Sequence, residues 1–202
     1  MERQFKIAKY IFNEMKFVDI LKTIFKSLYR NQLILVYSNE LEQINFNEIV
    51  INQKYDIRKG TINDLEHIDD LEKIVPWEFR CHQFDNVQDY FICTCDNRTQ
   101  HISWIYYRRD PNRIIMLKPN EAEIKYCLTS KKYRGHGIYP AVLNVISNYL
   151  YNKGYVRVYV CVNNDNYASI RGIEKAGFKL VGKVKLKKII GFQISRRYKS
   201  KG

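Results

Sequence analysis

The segment Cys127 to Leu143, CLTSKKYRGHGIYPAVL, carries the residue types with the clearest chemical use. A strand pattern ends in a loop holding two glycines, and a helical pattern starts at once. With no side chain at Gly135 and Gly137 the backbone can come close to a pyrophosphate, and the free N–H groups and partial positive charge of the helix start favour such an anion. Lys132 and Arg134 add full charges beside it, and Pro140 suits the first helical turn, where its missing N–H costs nothing. Two standard nucleotide sites are excluded. The three-glycine spacing and the acidic residue of a dinucleotide fingerprint are absent, and so is the Gly-Lys-Ser/Thr ending of a triphosphate loop. A tight strand-to-helix turn with no ligand is the purely structural alternative.

The five cysteines, Cys81, Cys93, Cys95, Cys127 and Cys161, are odd in number and lack CxxC spacing, so free thiols are expected. Cys93 and Cys95 would share one face of a strand, and His82 adjoins Cys81, but no second pair completes a tetrahedral site. No metal is expected.

The elements that must position the loop follow from periodicity. Tyr55–Lys59 reads as a strand, and a helix capped by Thr61 or Asn63 follows through Leu71. Pro76 to Phe84 mixes aromatic and polar groups without a period, as covering loops do. Tyr90–Cys95 and Gln100–Tyr107 flank the turn residues Asp96 to Thr99, which predicts a hairpin. Glu123–Thr129 continues the sheet. A helix over Ile138–Asn152, a strand over Tyr155–Val162, a helix over Asn166–Ala176 and two basic strands complete the chain. The class is mixed α/β, with an antiparallel start and a strand–helix–strand centre. Before all this, Ile7, Ile11, Met15, Val18, Leu21, Phe25 and Leu28 draw one apolar stripe on a basic helix. Residues 1–50 are therefore read as a basic amphipathic helical extension with a short strand at Leu33–Tyr37, and residues 51–202 as the main domain. The extension could cap the domain, lie on an anionic membrane through residues 1–30, or pair two copies as a homodimer.

The chain has 202 residues, 46% of them hydrophobic, enough for one domain with a core. No apolar run approaches a membrane span, and charges interrupt the first ten residues, so a cytoplasmic protein is expected. The formal charge of +13 is concentrated after Glu174, where no acidic residue follows. An anionic partner is implied, or a solvated basic face.

The motif residues Arg134 to Tyr139 resemble the R-x-x-G-x-G/A loop of the GNAT superfamily of acyl-CoA N-acyltransferases at Arg134 and Gly137. A second segment, Asn166 to Phe178 with Glu174, Lys175, Gly177 and Phe178, resembles the same superfamily's later helix and following strand, and Tyr55 to Leu65 its first strand and helix. The resemblance covers about residues 54 to 195. It implies a GNAT fold, a mixed central sheet flanked by helices, with acetyl-CoA as co-substrate and no metal. It also implies that the amides near Cys127, Leu128 and Thr129 pair with the pantetheine arm and stabilise the oxyanion. The loop Arg134, Gly135, His136, Gly137, Ile138 and Tyr139 would hold the pyrophosphate, and Asn166 and Ser169 would face the thiol end.

A direct transfer needs a base for the attacking amine. Glu123, within Ala122-Glu123-Ile124 and eleven residues before Arg134, stands where protein-acetylating members carry theirs. Its alternative is a solvated edge glutamate, and Glu121 and His101 are the substitutes. Two departures stand out: Tyr139 replaces the second small residue of the loop, and Ile173 occupies the place of the tyrosine that protonates the departing thiolate. Tyr126, Tyr167 or a water would have to serve there, or the thiolate leaves unassisted. The resemblance points to a small-molecule amine acceptor, with Pro76 to Phe84 and the hairpin around its pocket. Chains of this look resemble enzymes that acetylate nucleotide-linked amino sugars for surface polysaccharides. Protein N-acetylation and a catalytically inactive binding module are the other readings, and nucleic acid is the less favoured partner.

Overall fold

The computed structural model describes residues 29–42, 54–71, 79–189 and 192–200, together with Lys6 and Lys9, which are helical. The rest of the amphipathic stripe over residues 7–28, and with it the membrane and pairing roles of residues 1–30, lies outside the described residues.

The strands are β1 (Tyr29–Glu40), β2 (Tyr55–Lys59), β3 (Tyr90–Cys95), β4 (Arg98–Tyr106), β5 (Glu121–Thr129), β6 (Arg157–Asn163), β7 (Lys179–Ile189) and β8 (Phe192–Ser200). They form one sheet in the order β2-β3-β4-β5-β6-β1-β7-β8. Among neighbouring strands only β5 and β6 pair in parallel, because the helical connection between them returns the chain to the same end of the sheet, whereas β6 and β7, also joined through a helix, are separated by β1. The helices are α1 (Cys81–Phe84), α2 (Ile138–Asn152) and α3 (Tyr167–Lys175), with 3₁₀ turns η1 (Ile62–Asp70) and η2 (Lys131–Tyr133). None of the described helices is long and apolar enough to cross a membrane.

Local chemistry explains the main elements. Asp96 and Asn97 take φ of 53° and 59°. A two-residue hairpin turn of type I′ demands positive φ at both positions, and Asp and Asn tolerate it better than most residues. In α2 the steps Ile138, Val142, Ile146 and Leu150 place four side chains of at most 1% exposure on one face. Each contributes roughly 1.5–3 kcal/mol by leaving water. They pack with Ala122, Ile124, Val158 and Val160 of β5 and β6, and with Ile173 of α3. The opposite face holds Trp104, Tyr106, Ile92 and Ile102 under Leu71 and Cys81, and Ile34, Val36, Val184 and Leu186 under Ile115 and Leu117.

Three expectations change. The helix after Thr61 is a 3₁₀ turn, held at its start by Asp64, which accepts from the Thr61 N–H at 2.6 Å and from Arg58. In the covering segment, Pro76 to Glu78 lie outside the described residues, while Cys81 to Phe84 form one helical turn with Cys81 buried. The boundary at residue 50 does not divide the sheet. β1 is twelve residues long and inserts between β6 and β7, with Ile34 opposite Asn163 and Leu35 opposite Lys183. Ladder bonds on both sides carry its polar ends into the sheet, which an apolar run alone cannot reveal.

Candidate functional site

The β5–β6 ladder starts at Glu121 opposite Arg157 and stops at Ile124 opposite Val160, although β5 continues to Thr129 and β6 to Asn163. Beyond Ile124 the two strands part. The cause is a bulge: on β4, Ile102 pairs with Leu128 but Trp104 pairs with Lys125, so an extra β5 residue is accommodated and Tyr126 takes φ of 49°. The edge of β5 over Cys127, Leu128 and Thr129 thus faces a gap where a strand-like ligand can add.

At the end of β5 the chain passes through η2 into the glycine loop. Gly135 and Gly137 have φ of 85° and 77°, and a Cβ at Gly135 would meet nothing within 4 Å. Positive φ is required at both, which explains the glycines. Arg134 Nε donates to the Thr129 carbonyl at 3.0 Å, closing the loop onto the strand. His136 Nδ1 shares a 2.7 Å hydrogen bond with the Tyr55 hydroxyl. Ile138 and Tyr139 open α2, whose first turn holds no acidic residue to compete with an anion.

Tyr139 does not crowd the glycines from above. Its ring turns towards the sheet, 5.8 Å from His101 and stacked on it, and against α3. A Cβ on Gly172 would stand 2.7 Å from Tyr139 Cδ1, so the missing side chain in α3 makes the room. The Tyr139 hydroxyl bonds to Cys127, which also bonds Ser103, and burial pushes the Cys127 thiol up to about 11. His101 bridges Thr129 Oγ1 and Ser103 Oγ, each at 2.7 Å. Burial without a charged partner drives its pKa down to about 3. It is a neutral, fully hydrogen-bonded side chain, which removes it as a base.

On the other face, Glu123 has no exposed surface and accepts from the Ile114 N–H at 3.0 Å. The segment after β4 covers it, so it is not a solvated edge glutamate. Burial raises its pKa, opposed by the Lys125 ammonium and the Ile114 N–H. Lys125 stands 4.8 Å from the Tyr106 ring and 4.9 Å from that of Tyr126, whose ring also meets Phe79 edge-on at 6.1 Å. Glu123 and Lys125 share this face by strand alternation, and the bulge adds Tyr126 to it and turns Cys127 to the other. Glu121 is engaged structurally, by the Lys118 N–H at 2.7 Å and by Arg157 and Tyr159.

Across the gap, Asn166 caps α3, its Oδ1 accepting from the Ser169 N–H at 3.2 Å. Ile173 is fully buried in the core, and Tyr167 is 68% exposed. Sequence reasoning passes over Gly172, the Asn112 carbonyl that accepts from Lys125 Nζ, and the Ile114 amide. Gly172 left a signal, since a glycine inside a helix costs about 1 kcal/mol against alanine and calls for a packing reason.

A family model described as an acetyltransferase (GNAT) domain matches residues 41–179, more than half of the chain. A GCN5-related N-acetyltransferase from Sphaerobacter thermophilus is similar in structure, with TM-score 0.59 and 14% identity, covering 92% of this chain and 57% of that one. A GNAT-family acetyltransferase from Colwellia psychrerythraea gives TM-score 0.57 and 13% identity over 85% of this chain and 62% of that one. A GCN5-related glucosamine N-acetyltransferase region of a fungal multi-domain β-N-acetylglucosaminidase gives TM-score 0.59 and 11% identity over 87% and 23%. The chain spans less than two thirds of the length of these structures, and at such identities the likeness is one of fold. A search among curated proteins matches nothing.

Proposed function

Because the chain belongs to the GNAT superfamily of acetyltransferases, we propose that it transfers the acetyl group of acetyl-CoA to a primary amine of an anionic small molecule, of the kind a nucleotide-linked amino sugar represents. The observation that carries the reading is the parting of β5 and β6 beyond Ile124 and Val160, with the Gly135–Gly137 loop at its mouth. Cys127, Leu128 and Thr129 would offer main-chain groups to the pantetheine arm, and Arg134 to Tyr139 would hold the pyrophosphate. Acetyl-CoA supplies an activated thioester, so the protein's tasks are orientation, oxyanion stabilisation and proton removal.

Glu123 takes up the proton of the attacking amine. Its raised pKa moves its basicity towards neutral pH, where a general base is most effective. Tyr126, on the same face, is the remaining hydroxyl for the departing thiolate. The test is thiol release from acetyl-CoA with a panel of phosphorylated and unphosphorylated primary amines. Turnover with a phosphorylated amine, and its loss by at least a hundredfold in Glu123→Gln, supports the reading. Turnover untouched by that change removes Glu123 from the mechanism. A second reading, a GNAT-fold binding module without turnover, draws on Ile173, which leaves the usual acid position apolar and buried.

A further inference from the structure

The cationic C-terminal strands do more than coat the sheet. Val184 and Leu186 pack under Ile115 and Leu117, so Lys183, Lys185 and Lys187 alternate onto the face that carries α2 and α3. On β8, Arg197 stands directly opposite Lys185, and Lys199 opposite Lys183. Like charges facing each other across a ladder oppose pairing. Among the described residues no acidic side chain forms an ion pair with any of these five cations. The sequence has no acidic residue beyond Glu174 to provide one from β7 or β8.

Three of these cations, Lys185, Lys187 and Arg197, line a concavity of about 480 Å³, together with Asn31, Gln32 and Leu33 of β1 and Asn164 just past β6. That volume is in the range of small-molecule sites, roughly 300–1,000 Å³, and an open recess of this size has room for a small anion where a flat basic stripe would track a polymer. Three cations, Lys185, Lys187 and Arg197, supply charge for phosphate oxygens, and the amide side chains of Asn31 and Asn164 can bond hydroxyl groups. The position is informative as well. Asn164 lies two residues before the α3 cap Asn166, and its N–H donates to Leu33 O at 3.0 Å. The recess and the β5–β6 gap therefore flank the carboxyl end of β6, on the face of the glycine loop. β7 lies two strands from β6, about 10 Å away at the usual strand spacing.

We propose that this recess binds the phosphate groups of a small molecule, and that this molecule is the amine acceptor. Its identity as the acceptor rests on the acetyltransferase reading, while its binding of phosphate does not. The acceptor is then an amine whose phosphate lies on the order of 10 Å from the nitrogen, the strand spacing from β6, which borders the gap, to β7, which lines the recess.

Uridine diphosphate is the probe, titrated by calorimetry at fixed ionic strength into the wild type, with and without saturating CoA. Lys185→Gln/Lys187→Gln should weaken binding at least tenfold. Arg98→Gln/Lys118→Gln, which removes the same charge from exposed positions elsewhere, should change it less than twofold. Inorganic pyrophosphate should compete. A wild type that binds CoA but shows no saturable uridine diphosphate binding overturns the proposal. Equal losses in the two double variants overturn it too, since only bulk charge would then be at work. Abolition of binding by CoA assigns the lysines to the cofactor and overturns the acceptor site. Tighter binding of polyuridylate that falls steeply with salt replaces it with a nucleic-acid surface. Uridine diphosphate binding by a protein that fails to bind CoA upholds the phosphate recess and removes the acetyltransferase reading instead.

Discussion

The contact between Gly172 and Tyr139 gives a prediction whose size follows from the structure. Gly172→Ala places a methyl group 2.7 Å from Tyr139 Cδ1 and 3.3 Å from Cε1, well inside contact distance. Overpacking of this kind costs about 1–3 kcal/mol, whereas alanine for glycine inside a helix gains about 1 kcal/mol. In the wild type the net effect should be a loss of between about 0 and 2 kcal/mol. In a Tyr139→Ala background the ring is gone, only the helix gain remains, and the same substitution should stabilise by about 1 kcal/mol. The four proteins form a double-mutant cycle with an expected coupling of about 1–3 kcal/mol, read from urea unfolding at equal slopes. Displacing the ring from His101 also pushes it towards the β5–β6 gap, so Gly172→Ala should weaken acetyl-CoA binding while leaving the β-sheet signal intact. If Gly172→Ala stabilises both backgrounds equally, Tyr139 does not occupy the space between α2 and α3 and the geometry argued for the gap is wrong.

Two further outcomes follow from burial and topology. Glu123 has a native pKa above its ordinary 4.5, so the folded state binds the extra proton, and the stability tied to that proton is fully present below 4.5 and lost as pH rises through the native value. Glu123→Gln should therefore gain stability relative to wild type as pH rises above 4.5, while the acid limb of kcat/KM in wild type lies above the usual carboxylate range; urea midpoints that move in parallel across pH would contradict this. Deleting residues 1–42 removes β1 from between β6 and β7 and should abolish cooperative unfolding, whereas deleting residues 1–28 should preserve it, as near-ultraviolet circular dichroism and a thermal scan would report.

Where local chemistry determines structure, the sequence was readable. The turn residues Asp96 and Asn97 announce the β3–β4 hairpin, and Gly135 and Gly137 mark a strand-to-helix loop whose positive φ values only glycine adopts without strain. The α2 stripe from Ile138 to Leu150 is equally direct. What escaped is non-local. Nothing in Tyr29–Glu40 states that its partners lie more than a hundred residues later, at Arg157–Asn163 and Lys179–Ile189. The bulge at Tyr126 exists only in the register with β4, yet it decides that Lys125 and Tyr126 share a face while Cys127 turns to the other. Glu123 reads as an alternating strand residue, and its closure comes from the Ile114 amide of a segment with no period of its own. His101 looks like a candidate base until burial and two hydroxyl partners make it a neutral fixture.

The gap between β5 and β6, with the Gly135–Gly137 loop, is the proposed acetyl-CoA site. Calorimetric titration of acetyl-CoA into the wild type and into Gly137→Trp, with far-ultraviolet circular dichroism on both, tests it most directly. Saturable one-to-one binding by the wild type and its loss in the folded variant, whose indole fills the loop at a position with φ of 77°, are expected. Absence of binding to a folded wild type, or undiminished binding in the variant, would contradict it.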